Sequence, residues 1–256
     1  MSTVLITGAT SGIGYELAKI FASKKYNLLL VARNTKDLKE VQKELQNKSV
    51  KVSVFSADLS HDDSAEKIYK FSKNKKIEVS ILVNNAGIGE TGNFADGDPD
   101  KISAIVHVNM ASLTKLTRLF LPDMIKAKNG KILNVSSMAA FQPGPYMATY
   151  HASKAYVLSL SIALSAELKD KGITVTALCP GPTSTPFHKK AGSLGSLLLK
   201  LKKPAEAKDV AEFGYNSLMK GKVVAVHGVI NRFLVCISRY ASFQTLAVYT
   251  AKLHRK

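Results

Sequence analysis

TVLITGATSGIGYELAKI, at residues 3–20, is the clearest indication of the fold. Its first five residues predict a buried strand, and the apolar spacing over 13–24 predicts a helix. Gly8, Gly12 and Gly14 lie in the turn between the two. Such a turn lets the backbone approach a phosphate, and the free N–H groups of the following helix attract anions. The stretch therefore favours a βαβ unit that binds a dinucleotide over a tight turn with no ligand.

The rest of the chain repeats this alternation of strand and helix. Apolar runs of strand length are separated by amphipathic stretches, which is typical of a parallel sheet covered on both faces. We expect an α/β protein with a Rossmann-type doubly wound parallel sheet of about seven strands, whose ligands lie beyond the carboxyl ends of the strands. The predicted strands are 3–7, 27–32, 50–57, 79–84, 130–137, 173–180 and 222–228, and the clearest helical stretches are 13–24 and 99–128.

Composition and length favour one domain over residues 1–256. The chain is 46% hydrophobic and contains no linker rich in proline, glycine or serine. No apolar run reaches the roughly 18 residues of a membrane span, and no signal-peptide pattern is present, so we expect a cytoplasmic protein. Its two cysteines, Cys179 and Cys236, are far apart in sequence, which argues against a disulfide framework and against a metal cluster.

The formal net charge of +17 raises the question of acidic partners. The basic residues are spread along the chain, and aromatic residues are not interleaved with them as in a base-stacking platform. We therefore expect no nucleic-acid partner.

Two segments depart from the alternation of strand and helix. Residues 186–204 mix glycines, lysines and a leucine cluster, which predicts a mobile substrate lid with a helical part. Residues 229–256 mix apolar and basic residues and predict a C-terminal extension of one or two amphipathic helices. Packing against a partner subunit or the lid is favoured for this extension over weak contact with a membrane surface.

Arg33 follows the second predicted strand, where dinucleotide-binding units that prefer NAD place an acidic residue. A guanidinium at this position can form charge-assisted bonds with a 2′-phosphate. This favours NADP(H) over NAD(H), the alternative being that Arg33 is only a surface residue. Asp58, after the third predicted strand, is placed to reach the adenine.

The motif YHASK at 150–154 pairs Tyr150 with Lys154 one helical turn later. Spacing alone does not identify a catalytic pair, because Tyr15 and Tyr69 also have a lysine four residues on. Only Tyr150 follows a strand that ends in serines, with Ser137 thirteen residues earlier.

The order and spacing of these motifs closely resemble the short-chain dehydrogenase/reductase family over almost the whole chain. The matching parts are TGATSGIG at 7–14, Asp58, NNAG at 84–87, Asn109, Ser137, Tyr150 with Lys154, and PGPTST at 180–185. Within the family the chain is similar to the DltE-type reductases. The resemblance implies hydride transfer between NADP(H) and a small-molecule carbonyl or secondary alcohol, and assembly as a homodimer or homotetramer. A sensor or scaffold protein that binds NADP(H) without turnover is the alternative function.

The resemblance also implies roles for individual residues. Tyr150 would exchange the proton with the substrate oxygen, Ser137 would orient that oxygen, and Lys154 would lower the pKa of the phenol. Asn109 would hold a water that links Lys154 to solvent. Tyr146 is a rival proton donor, whereas His151 is expected to be a packing or surface residue because it points about 100° away from Tyr150 on the helix.

The expected cofactor site combines the glycine turn with the ends of the later strands. In NNAG, Asn84 and Asn85 would bond backbone beside the cofactor. No metal ligand is predicted. The expected cofactor-binding residues are Gly8, Thr10, Ser11, Gly12, Ile13, Gly14, Arg33, Asp58, Leu59, Asn85, Ala86, Gly87, Tyr150, Lys154, Pro180, Gly181, Thr183 and Thr185.

Overall fold

A computed structural model describes residues 2–201 and 203–255. It contains a seven-stranded, wholly parallel sheet in the order β3-β2-β1-β4-β5-β6-β9, which confirms the predicted fold. A second, two-stranded parallel sheet joins β7 to β8. The strands are β1 Thr3–Thr7, β2 Asn27–Ala32, β3 Val52–Ser56, β4 Val79–Asn84, β5 Gly130–Val135, β6 Ile173–Cys179, β7 Thr183–Ser184, β8 Ala205–Glu206 and β9 Val224–Val226.

Helices cover both faces of the large sheet because the central strands are apolar on both sides. In β1, Val4 and Ile6 pack into one core cluster and Leu5 into the other. The helices are α1 Gly12–Ser23, α2 Thr35–Leu45, α3 Ser64–Asn74, α4 Pro99–Val106, α5 Ser112–Lys126, α6 Ala148–Glu167, α7 Phe187–Lys190, α8 Leu197–Leu201, α9 Ala207–Met219, α10 Val229–Ser238 and α11 Phe243–His254. Helices α1, α2 and α9 cover the first cluster, and α3 and α5 cover the second.

The helix predicted over 99–128 is not a single regular helix. A π-helical turn at His107–Ala111 separates α4 from α5 and contains Asn109. The widened turn is held by side-chain bonds from Asn109, and π turns of this kind are frequent at functional sites. Four strands are also shorter than predicted, since residues at the ends of 50–57, 130–137, 173–180 and 222–228 lie in loops.

The last part of the chain packs around the carboxyl end of the sheet. The segment predicted as a lid contains α7 and α8, and the backbone N–H of Leu197 donates to the Arg255 carbonyl after α11 at 3.3 Å. Residues 229–254 contain α10 and α11 joined by a short turn. Among the described residues, no helix has both the length and the apolar character needed to span a bilayer.

Candidate active site

A cleft of about 880 Å³ opens at the carboxyl ends of the central strands. One part runs past the glycine turn toward Arg33 and Asp58, and the other runs between α6, the segment 186–204 and the two C-terminal helices. Tyr150 and Lys154 lie in the wall of this cleft. The cleft therefore has the place and the two-part layout expected of a dinucleotide and substrate site in a doubly wound sheet.

The glycine turn presents backbone donors to this cleft. Helix α1 begins at Gly12, and its N-cap residue Ser11 forms no side-chain hydrogen bond to the helix amides. Gly12 has a φ of 56°, and a Cβ there would lie 2.8 Å from Cγ2 of Thr185 across the cleft. The turn is thus a close backbone cradle with free N–H groups, which fits the pyrophosphate of a dinucleotide.

Asn85 fastens the end of β4 to the glycine turn. Its Nδ2 donates to the carbonyls of Thr7 and Gly8 at 2.9 and 3.1 Å, and a Cβ on Gly14 would collide with this amide. Asn84 behaves differently from the prediction that it bonds backbone. Its Nδ2 donates to Asn134 Oδ1 and to Thr117 Oγ1, so it belongs to a buried side-chain network behind the site.

Arg33 lies at the far end of the cleft, as the sequence predicts. The Arg33 side chain is 63% exposed, and its guanidinium lies 3.8 Å from a carboxylate oxygen of Asp58. Partial burial raises the pKa of Asp58, but hydrogen bonds from Ser60 and the charge of Arg33 outweigh it and leave the pKa below its ordinary value. A long, exposed ion pair contributes little to stability, and the exposed guanidinium can donate to another anion.

Tyr150, Ser137 and Lys154 converge at the junction of the two parts of the cleft. Ser137 caps the 3₁₀ turn Met138–Phe141 that follows β5, where its Oγ accepts from the Ala139 N–H at 3.1 Å. The Lys154 ammonium lies 5.7 Å from the centre of the Tyr150 ring and donates to the Val135 carbonyl at 2.8 Å. A phenol, a hydroxyl and an ammonium therefore face one small region of the cleft.

The pKa of Tyr150 differs from the expectation that Lys154 lowers it. Burial raises the pKa of Tyr150, and a hydrogen bond with Ser137 only partly opposes it, so the expected lowering by Lys154 is absent. Burial also lowers the pKa of Lys154 to about 8, and its ammonium is directed at the Val135 carbonyl rather than at the phenol. At neutral pH the phenol is protonated and the lysine is mostly charged.

Asn109 lies behind Lys154 and does not line the cleft. Its Oδ1 accepts from the Ile88 N–H, and its Nδ2 donates to the Ile88 carbonyl and to Ser153 Oγ, each at 2.9 Å. A Cβ on Gly87 would lie 3.2 Å from Lys154 Nζ and 3.5 Å from Asn109 Oδ1. Because Gly87 has no side chain, a small gap remains beside its α-carbon, and Lys154 Nζ and Asn109 Oδ1 both border it.

Tyr15, Tyr69 and Tyr146 do not lie in this environment. Tyr15 donates to Glu44, and burial together with that carboxylate raises its pKa to about 12. Tyr69 donates to Asp123 at 3.2 Å. Tyr146, the rival donor, does not line the cleft, and its hydroxyl accepts from Arg255 Nε at 3.3 Å.

All the predicted cofactor residues line the cleft apart from Gly14, which packs behind the glycine turn. Those on the cleft wall are Gly8, Thr10, Ser11, Gly12, Ile13, Arg33, Asp58, Leu59, Asn85, Ala86, Gly87, Tyr150, Lys154, Pro180, Gly181, Thr183 and Thr185.

The segment 186–204 and the C-terminal helices close the substrate part of the cleft through contacts that the sequence did not predict. The ring of Phe187 in α7 lies 5.1 Å from that of Tyr150, and a Cβ on Gly89 would contact both rings. His151 is buried and faces His254 of α11, with 5.0 Å between ring centres. No local pattern marks these contacts, because each joins segments that are distant in sequence.

Comparison with known proteins agrees with this geometry. The short chain dehydrogenase family model matches residues 2–193. A very-long-chain 3-oxoacyl-CoA reductase of Rattus norvegicus is 32% identical over 98% of this chain and 80% of its own length. A protein of the same name from Neurospora crassa is 38% identical over 67% of this chain, but the match spans only 53% of that protein.

Solved structures give the same result. A short-chain dehydrogenase from Sphingobium yanoikuyae in complex with NADPH superposes with a TM-score of 0.82, at 30% identity and 94% coverage of each chain. A 3-ketoacyl-(acyl-carrier-protein) reductase from Brucella melitensis complexed with NADH has a TM-score of 0.78 at 29% identity, covering 88% of this chain and 94% of its own. These comparisons show that the chain belongs to the short-chain dehydrogenase family of oxidoreductases, which use a nicotinamide dinucleotide.

Proposed function

We propose that this protein is an NADP(H)-dependent reductase of a bulky, apolar carbonyl compound, with Tyr150 as the proton donor. The observation that carries the proposal is the convergence of Tyr150, Ser137 and Lys154 between a dinucleotide cradle and an apolar cavity. The bound cofactor supplies the hydride that reaches the carbonyl carbon. The carbonyl oxygen receives the phenolic proton, and the product is a secondary alcohol when the substrate is a ketone.

Each polar group has a distinct task in this proposal. The Ser137 hydroxyl donates to the carbonyl oxygen and holds it next to the Tyr150 phenol. The Tyr150 phenol carries its proton at neutral pH, since burial only raises its pKa above the ordinary value, so a proton is available for transfer. The Lys154 ammonium returns a proton to the phenolate after the transfer, and a water held beside Gly87 by Asn109 Oδ1 replaces the proton that Lys154 has given up.

The lining of the substrate part of the cleft supports an apolar substrate. Its walls include Met147, Phe187, Leu234 and Leu246. The carboxylates on the cleft wall, Asp37 and Asp58, belong to the opposite end, next to Arg33. Long-chain 3-oxoacyl thioesters, the class named for two relatives, are therefore the first substrates to test.

The catalytic proposal is tested with Tyr150→Phe, which removes only the hydroxyl. We expect turnover to fall by roughly 10² to 10⁴, the usual effect of losing positioned acid catalysis, while NADPH affinity stays within about twofold. NADPH absorbance reports turnover on 3-oxoacyl thioesters of increasing chain length, ketones and aldehydes. Tyr69→Phe is the matched control, because its phenol is also partly buried and also has a lysine four residues on.

Two outcomes would contradict this assignment. Full activity in Tyr150→Phe together with loss in Tyr146→Phe would transfer the role of proton donor to Tyr146. Tight NADPH binding without turnover of any carbonyl in the panel would favour a sensor or scaffold protein.

The NADP(H) preference is tested with Arg33→Asp. Loss of charge-assisted bonds to a 2′-phosphate should weaken NADPH binding by roughly 10- to 100-fold and leave NADH binding unchanged or stronger. Fluorescence titration of both dinucleotides measures the ratio. Equal affinities in the unmodified protein would refute the preference.

We also propose a cytoplasmic location and a homodimer or homotetramer, as expected from the sequence. Light scattering of the purified protein measures the assembly.

A further inference from the structure

Positive charge is concentrated in the last third of the chain. Residues 171–256 contain 14 of the 36 basic residues and three of the 19 acidic ones, so 14 − 3 = +11 of the net charge of +17 lies there. The three acids are Glu206, Asp209 and Glu212, all on or next to α9. The segments 171–205 and 213–256, which include α7, α8, α10 and α11, contain no acidic residue.

The same helices expose large apolar side chains. Of the ten residues of α10, only Asn231 and Val235 are buried. Phe233 is 64% exposed and Tyr240, just after the helix, is 89% exposed. We call the exposed apolar residues of 186–201 and 229–254, with the arginines and lysines among them, the basic apolar face. Its apolar members are Leu194, Leu197, Leu201, Val229, Ile230, Phe233, Leu234, Ile237, Tyr240, Phe243, Val248 and Tyr249.

The basic apolar face is continuous with the substrate part of the cleft. Leu201 of α8, Leu234 and Ile237 of α10, and Tyr249 of α11 are exposed to solvent and also line the cleft wall. Three separate helices therefore contribute apolar side chains to the rim of the opening. An apolar ligand leaving the cleft at this rim passes directly onto the face.

We propose that the basic apolar face docks on the surface of an anionic lipid bilayer, with the substrate opening turned toward the lipid. Short amphipathic helices that combine aromatic and aliphatic side chains with arginine and lysine lie in the plane of the headgroups and are attracted by anionic lipids. The proposed apolar substrate then enters from the bilayer. This last step rests on the proposed function, whereas lipid binding itself does not.

Charge selects the bilayer over a second copy of the chain. If two such faces met, Arg232 and Arg239 of α10 would be brought near the same residues of the other copy, with no acidic residue in these segments to pair with them. Like charges brought together in an interface oppose association. An anionic lipid surface offers the opposite charge and an apolar layer for the exposed side chains.

Vesicle co-sedimentation of the full chain tests the proposal. Vesicles of phosphatidylcholine with an equal part of phosphatidylglycerol should bind the protein at least tenfold more tightly than vesicles of phosphatidylcholine alone. Added salt should weaken that binding. Equal binding to both vesicles, or no binding to either, overturns the proposal.

Matched variants separate the apolar and the charged contributions. The double variant Ile230→Glu, Phe233→Glu should reduce binding to anionic vesicles at least tenfold, whereas Ile162→Glu on α6, also at an exposed apolar position, should not. The double variant Arg232→Gln, Arg239→Gln should reduce it several-fold. The charge-matched pair Lys39→Gln, Lys43→Gln on α2 should leave it unchanged.

Two further measurements distinguish loss of lipid binding from a change in assembly and from unfolding of the variants. Light scattering without vesicles shows whether Ile230→Glu, Phe233→Glu lowers the oligomer mass; a lower mass with no lipid binding in the unmodified protein identifies the face as an interface between copies. Circular dichroism confirms that each variant is folded. Because sedimentation requires no turnover, loss of lipid binding and loss of reductase activity are observed independently.

Discussion

Helices α1 and α10 follow the same local pattern and have opposite surroundings. Each is preceded by a strand and a glycine with positive φ, Gly8 before α1 and Gly228 before α10. The strand before α1 lies inside the sheet, with β2 and β4 on either side, whereas β9 before α10 is at the edge. Helix α1 is covered by α9, while α10 exposes most of its residues. Position in the sheet therefore decides whether a strand–glycine–helix unit becomes core or surface.

This difference has an energetic consequence. Full burial of a large apolar side chain stabilises a fold by about 1.5–3 kcal/mol, and Leu17 and Phe21 of α1 are completely buried. Ile230 and Phe233 of α10 are mostly exposed and contribute little of this energy. We expect the sheet with α1 to be the stable part of the molecule and the C-terminal helices to be held more weakly.

The largest effect should come from truncating one phenylalanine in each helix. Phe21→Ala should lower the free energy of unfolding by roughly 3–5 kcal/mol, because it opens a cavity beside Tyr26 and Tyr215. Phe233→Ala should change it by less than about 0.5 kcal/mol, since the ring is exposed. Urea unfolding followed by circular dichroism measures both. A similar loss in the two variants would mean that α10 is covered in solution.

The next effect concerns Lys154, whose charge is buried beneath the cleft. The pKa of Lys154 is about 8 in the folded protein and 10.5 in an ordinary lysine. Between these pH values the unfolded chain binds more protons than the folded chain, so protonation of Lys154 opposes folding. This unfavourable free energy is largest below about pH 8. Lys154→Met should remove this penalty of about 3 kcal/mol at pH 7, less about 1 kcal/mol for the lost bond to the Val135 carbonyl. Turnover should fall by at least about 10³, because the variant loses the ammonium that returns a proton to the phenolate.

The stability of Lys154→Met relative to the unmodified protein should depend on pH. The stability gained by Lys154→Met should decline as pH rises from 8 to 10.5, because the unmodified lysine then becomes neutral in the unfolded chain as well. Melting temperatures at pH 7 and pH 10 measure the change. A variant that is less stable than the unmodified protein at pH 7 would show that the ammonium stabilises the fold.

The smallest of these effects lies where α11 meets α6. Burial lowers the pKa of His151 to about 4, and its Nδ1 bonds the Gln142 carbonyl at 2.9 Å while its ring faces His254. Because the unfolded histidine binds a proton near pH 6.5, this contribution to stability is present above that pH and is lost as pH falls toward 4. The loss should be roughly 2 kcal/mol at pH 5.

Hydrogen exchange of backbone amides can locate this loss. After correction for intrinsic rates, the amides of α11 should exchange faster at pH 5 than at pH 7.5, while those of α1 change less. His151→Gln keeps a polar side chain that does not titrate and should reduce the acid sensitivity. If α1 and α11 lose protection together, the two regions unfold as one unit, and the C-terminal helices are not held more weakly than the sheet.

Much of the fold and of the cofactor site could be predicted because the signals are local. The apolar runs of β1, β2, β4, β5 and β6 and the glycine turn each occupy a short stretch, and their spacing identifies both element and ligand class. In the secondary structure, the π turn at His107–Ala111 and the ends of four strands differ from expectation. Helix and strand ends depend on neighbouring side chains, such as Asn109 bonding Ile88, which periodicity does not report.

The parallel sheet, the glycine turn at Gly12 and the Tyr150–Lys154 pair could be predicted from the chain alone, because strand, turn and helical spacing are properties of adjacent residues. Their surroundings depend on tertiary packing. It placed Phe187 against Tyr150, directed the Lys154 ammonium to the Val135 carbonyl and left α10 exposed at the sheet edge. Burial, and with it pKa and surface character, depends on which distant segments pack together, and no local pattern in the chain encodes that outcome.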